Sequence, residues 1–148
     1  MRTFIAVIFL LAIGTGCATT SKSELDAEVK RLCAIDGGVK VYEKVIVQPQ
    51  DLDRFGTVDV SSKAYAKPGD KYYYELQSQF YRTGNPEMRR DRFLLYRASD
   101  HKLLAEAVSY ARRGGDVPSP MHESSFRCPR DSGMSALKDQ VFVISRER

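Results

Sequence analysis

The stretch Lys71–Arg113, KYYYELQSQFYRTGNPEMRRDRFLLYRASDHKLLAEAVSYARR, decides the fold of this 148-residue chain. Its first part, Lys71–Arg82, is rich in Tyr and Phe, side chains that suit a half-buried pleated surface, and reads as a long strand. Thr83-Gly84-Asn85-Pro86 has turn composition and ends it. Arg89–Ala98 carries Phe93-Leu94-Leu95-Tyr96 as a second strand, and Ser99-Asp100 supplies a hairpin tip. Lys102–Arg113 is ambiguous: Leu103, Ala107 and Tyr110 fit a helix face, whereas the short spacing from the preceding strand fits a hairpin partner. The hairpin geometry favours strand.

On the N-terminal side, Ser23-Glu24-Leu25-Asp26 offers a helix start, with Ser23 as cap and Asp26 at the positive end of the dipole. Leu25, Val29, Leu32 and Cys33 then recur at helical spacing, and Gly37-Gly38 stops the helix. Val39–Val47 places Val39, Val41, Val45 and Val47 on one face and reads as a half-covered strand. Pro49 to Gly56 suggests one helical turn, Thr57–Ser61 a short strand, and Lys67-Pro68-Gly69-Asp70 a turn. Beyond the decisive stretch, Gly114 to Arg130 reads as loop, Ser135–Lys138 as a helical turn and Val141–Ile144 as a final strand. The sum is an α+β fold, an N-terminal helix packed on a mainly antiparallel sheet of about four to six strands.

The N-terminus has a basic start at Arg2, an apolar run from Phe4 to Ile13, and then Gly14-Thr15-Gly16-Cys17. That run is about half the roughly 20 residues a membrane-spanning helix needs, and it suits a secretory signal over residues 1–16. Three fates remain open: acylation of Cys17, secretion after ordinary cleavage, or an uncleaved apolar anchor. The stretch resembles a bacterial lipoprotein signal, in which a cysteine after small residues is lipidated and becomes the first mature residue. It departs from that pattern at Gly14, where such signals usually carry Leu. Residues 17–22 then form the lipidated cysteine and a short polar tether, and 23–148 a single domain.

Three cysteines are an odd number for an oxidising compartment. Lipidation of Cys17 leaves Cys33 and Cys128 as one disulfide; two separate buried thiols are the alternative. Removing residues 1–16 from the 148 leaves 132, enough for one core, and takes away only Arg2, so the formal charge falls from +4 to +3. That mild excess suits anionic partners and equally a solvated basic surface. No repeat or low-complexity linker divides the mature chain.

The sequence assigns no catalytic residue, metal or cofactor. His101 sits at a hairpin tip, and His122, Glu123 and Cys128 have zinc-ligand chemistry without zinc-site spacing. Cys33 lies late in a helix, the wrong end to lower a thiol pKa. Ser124-Ser125 lacks a nucleophile-elbow pattern. Arg112-Arg113-Gly114-Gly115-Asp116 is either a backbone nest that docks an anion or a sharp turn with Asp116 bonding locally. Pairing 89–98 with 102–113 brings Arg89, Arg90 and Arg92 beside Arg112 and Arg113, a candidate anion-binding edge. The clustered tyrosines at 72–74 read as core packing, and no nucleic-acid motif is present.

The segments LCAIDGGVKVYEKV (32–45), SYARRGGD (109–116) and FRCPRD (126–131) are similar to a group of small bacterial envelope lipoproteins of unknown function. The resemblance implies anchoring and a paired-cysteine domain. The expectation is a non-catalytic binding or structural protein of the cell envelope. Its partners are the membrane, through an N-terminal lipid, and an anionic envelope polymer or an envelope protein. Ala18 after the cysteine points to the periplasmic face of the outer membrane. The alternative is a secreted hydrolase or metal-binding protein using Cys128 and His122.

Overall fold

A computed structural model describes residues 21–116 and 123–145. It contains a helix α1 (Lys22–Asp36), strands β1 (Gly38–Val41), β2 (Val45–Val47), β3 (Ser61–Ser62), β4 (Tyr72–Arg82), β5 (Glu87–Arg97), β6 (Leu103–Arg113) and β7 (Ser125–Cys128), a second helix α2 (Met134–Val141) and β8 (Phe142–Ile144). The architecture is the expected α+β fold, one long helix on a mainly antiparallel six-stranded sheet, with a second small helix.

β4, β5 and β6 pair antiparallel along nearly their whole lengths, so the decisive stretch is the sheet's centre. Strand is the state of the ambiguous third segment. β6 pairs with β5 on one edge, and on the other it pairs first with β1 and then with β7, which lie end to end along it. It is covered on both faces. Leu25, Val29 and Cys33 of α1 pack with Val108 and Tyr110, while Leu137 and Val141 of α2 pack with Ala105 and Ala107. Neighbouring strand residues point to opposite faces, so the two helices sandwich the sheet at β6.

Several local expectations change. Ser21, not Ser23, caps α1: its hydroxyl accepts from the Glu24 N–H at 3.3 Å while Glu24 accepts from the Ser21 N–H at 2.6 Å, a complete capping box. The helix therefore begins at Lys22, inside the segment read as tether. The single strand expected over 39–47 is two strands in different sheets, because the Tyr42 and Glu43 N–H groups both donate to the Leu104 carbonyl and turn the chain. β2 then runs parallel to β8. The loop expected from 114 to 130 contains β7. Among the described residues no helix is long and apolar enough to cross a membrane.

Candidate functional site

β5 and β6 bring the two arginine groups together: Glu87 lies opposite Arg113, Met88 opposite Arg112 and Arg89 opposite Ala111. Strand alternation then divides them between the two faces of the sheet. Arg90, Arg92 and Arg112 face α1, whereas Arg89 and Arg113 face away from it.

On the α1 side each guanidinium is held by the chain's own carboxylates. Arg112 is 2 % exposed; its Nε donates to Asp26 at 2.7 Å and its Nη1 to the carbonyls of Gly114 (2.6 Å) and Ser124 (3.0 Å) and to the Ser124 hydroxyl (2.9 Å). Arg90 donates to Asp36 at 2.7 Å and to the Tyr110 hydroxyl at 3.1 Å, and that hydroxyl donates to Asp36 at 2.7 Å. Burial opposes ionisation of Asp36, but the bonds from Tyr110 and Arg90 outweigh it and hold the carboxyl below its ordinary value. Burial and the Asp36 carboxylate push the Tyr110 hydroxyl up to about 12. Arg92 pairs with Glu106, which also accepts from the Tyr42 hydroxyl at 2.6 Å. Burial works against the Glu106 charge, yet these two donors leave its carboxyl below the usual range.

The paired glycines do not form an empty nest. Gly114 and Gly115 both have positive φ, near 81° and 83°, and their N–H groups donate to the Ser124 carbonyl (2.9 Å) and to Asn85 Oδ1 (2.5 Å). Asp116 accepts from Lys22 Nζ and from the backbone and hydroxyl of Ser124, which hold its carboxyl well below the carboxylate range. This is the local-turn alternative of the sequence reading.

The other face carries an opening of about 260 Å³ over Ala111. Ala111 lies opposite Arg89 on β5 and Arg127 on β7, so two long cationic side chains flank a methyl floor on a central strand. Beneath the rim, buried Asp91 accepts from the Ser78 hydroxyl (2.7 Å) and Arg89 Nε (3.1 Å) and faces Arg127 at 3.6 Å. Arg127 also donates to the buried Ser109 hydroxyl at 3.3 Å. Arg113, 70 % exposed, pairs with exposed Glu123 at 3.1 Å. The cleft thus sets Arg89, Arg113 and Arg127 against Glu87, Asp91 and Glu123. An incoming carboxylate or phosphate can exchange with Glu123, since a solvent-exposed ion pair contributes little; Asp91 is locked in place.

Arg127 was missed by sequence reasoning because its segment read as loop. The alternation in Ser125-Phe126-Arg127-Cys128, with Phe126 and Cys128 packed against α1, is the signal for a strand. Cys33 and Cys128 are disulfide-bonded, Cα–Cα 5.8 Å, so neither sulfur is a thiolate in this state. Cys17 and His122 lie outside the described residues. His101 is exposed, with Nδ1 3.1 Å from the Tyr73 hydroxyl. Among the described residues no cluster of His, Cys, Asp and Glu is placed to hold a metal ion. The chain matches no family model, no curated protein and no solved structure.

Proposed function

We propose that this chain is an exported protein of the bacterial cell envelope, anchored by acylation of Cys17, whose domain has a non-catalytic binding role. The observation that supports this reading is the Cys33–Cys128 disulfide. It uses two of the three cysteines, suits an oxidising compartment, and leaves Cys17, directly after the small residues of a signal-like segment, as the one cysteine outside this disulfide. The α1 cap at Ser21 shortens the spacer to Ala18-Thr19-Thr20, a reach of about 10 Å when extended. Such a spacer holds the domain against the membrane, with Ala18 favouring the outer one. The Ala111 cleft is the contact we assign to an anionic envelope polymer or to an acidic surface on an envelope protein. A hydrolase or metal-binding role for Cys128 with His122 would first require reduction of the disulfide.

The test is the intact mass of the mature chain from membrane and soluble fractions, beside a Cys17→Ser control. A membrane-associated chain beginning at residue 17 and carrying acyl groups, lost in the control, is the expected result. An unmodified soluble chain would overturn the anchoring.

A further inference from the structure

We propose that the chain pairs with a second copy of itself through the open edge of β4, antiparallel, across a two-fold axis at Ser78. This inference does not use the lipid, and it shares with the arginine cleft only Ser78, whose hydroxyl donates to Asp91. β4 is eleven residues long, and among the described residues its outer edge is paired only where β3 meets Tyr73 and Tyr74. From Glu75 to Arg82 no strand among the described residues lies beside the backbone groups that point away from β5. Proteins usually blunt such an edge with lysine, proline, an inward charge or a covering loop. Here the edge is Glu75-Leu76-Gln77-Ser78-Gln79-Phe80-Tyr81-Arg82, and Leu76, Phe80 and Tyr81 are about half exposed, at 51 %, 50 % and 49 %.

The order of residues on this edge is self-complementary. In a two-fold antiparallel pair centred on Ser78, Ser78 faces its own copy and Gln77 faces Gln79 on both sides. Leu76 faces Phe80 twice, placing apolar against apolar on one face of the joined sheet, a pairing worth stabilisation in antiparallel ladders. At the two ends Glu75, which already holds Lys63 at 2.6 Å, comes opposite the Tyr81-Arg82 bulge of the other copy, so no like charges face each other there. Moving the centre by one residue to Gln77 puts Leu76 opposite Ser78; moving it to Gln79 puts Phe80 opposite Ser78 and the Tyr81-Arg82 bulge opposite Gln77. Both shifts break the apolar pairs. The apolar pattern therefore selects this register, the charges at its ends are compatible with it, and the self-complementary order points to a second copy as the occupant.

The experiment uses the full chain with Cys17→Ser, so that a single introduced cysteine is the only free thiol beside the native disulfide. Opposed Cα atoms in an antiparallel pair are about 4.5–5.5 Å apart, inside the range a disulfide spans. Ser78→Cys should give a covalent dimer under mild oxidation. Gln77→Cys alone should give at least tenfold less, and mixing Gln77→Cys with Gln79→Cys chains should restore it. Sedimentation of the Cys17→Ser chain should show a dimer that Leu76→Lys with Phe80→Lys abolishes while circular dichroism is unchanged. A chain that sediments as a monomer at high micromolar concentration, or one in which Ser78→Cys and Gln77→Cys cross-link equally, would overturn the proposal. Capture of a different protein's strand on this edge by an otherwise monomeric chain would do the same.

Discussion

Replacing Arg112 with methionine separates a structural role from a ligand-binding one. Methionine keeps much of the aliphatic stem and deletes the guanidinium, which is 2 % exposed and serves Asp26 twice, the Gly114 and Ser124 carbonyls and the Ser124 hydroxyl. Deleting one partner of a buried ion pair destabilises by about 3–5 kcal/mol, mainly through the polar groups left behind. Asp26 keeps 26 % of its side chain exposed and recovers part of its hydration, which moves the expectation to the lower end, about 3 kcal/mol. In a urea titration of the disulfide-intact protein, a slope of about 1–3 kcal/mol per M converts this into a midpoint lowered by about 1–3 M. Adding Asp26→Leu should return part of the loss, since the orphaned carboxylate is then gone; coupling between such neighbours is typically about 0.5–3 kcal/mol. A midpoint shift equivalent to less than about 1 kcal/mol would refute the structural assignment. Weakened adhesion to anionic polymers at unchanged stability would return Arg112 to the binding surface.

Replacing Cys33 and Cys128 together by alanine should destabilise the domain by about 2–5 kcal/mol, because the bond closes a loop of 95 residues' separation; a urea midpoint equal to the parent's would contradict this. Asp36 titrates below its ordinary value when folded, so its contribution is complete above the ordinary carboxylate range and is lost as pH falls through the depressed value. Asp36→Asn should flatten that acid limb, read as urea midpoint against pH. Tyr110 acts in the opposite sense: its contribution is complete below about pH 10 and declines as pH rises towards about 12, a loss that Tyr110→Phe should remove. A methyl added at Gly37 would lie 2.6 Å from the Cys33 carbonyl oxygen and 2.8 Å from its Sγ, so Gly37→Ala should lower stability by about 1–3 kcal/mol. An unchanged thermal midpoint for Gly37→Ala would show that α1 can shift away from the disulfide.

The fold class was legible because the long strands and the α1 stripe each keep their own period, but the two hardest readings failed or wavered for identifiable reasons. β6 is buried on both faces at Leu104, Ala105, Ala107, Val108 and Tyr110, which erases the alternation that marks a half-covered strand and lets a helical spacing compete. Only its distance from β5 resolved the choice. The break within 39–47 depends on the Leu104 carbonyl, a partner more than sixty positions away that no local pattern contains. The cap was legible: Ser21-Lys22-Ser23-Glu24 is a capping-box pattern, whereas Ser23 with Asp26 only resembles one. The arginines were legible as a cluster and not as two. Period-two alternation separates Arg90 and Arg92 from Arg89, and Arg112 from Arg113, but the grouping across the strands is set by the register, which shifts between Leu95 and Tyr96 and brings Arg112 to the face of Arg90 and Arg92. The covering helix then makes that set structural.

That division bears on what segments 32–45, 109–116 and 126–131 encode. Segment 32–45 supplies Cys33 and Asp36, segment 109–116 supplies Tyr110, Arg112 and Asp116, and segment 126–131 supplies Cys128. The structure joins them to one another through the disulfide and the Asp36–Tyr110 bond, and ties them to α1 through Arg112–Asp26 and Asp116–Lys22. Their polar residues therefore read as the fastening of α1 to β6 and β7, which gives these distinctive charges a structural role. What this fastening leaves available lies elsewhere: the cleft over Ala111 on the face away from α1, and the uncovered length of β4. Under the two proposals above, substitutions at exposed Arg113 and at half-exposed Leu76 or Phe80 should alter binding at constant stability, the converse of Arg112→Met.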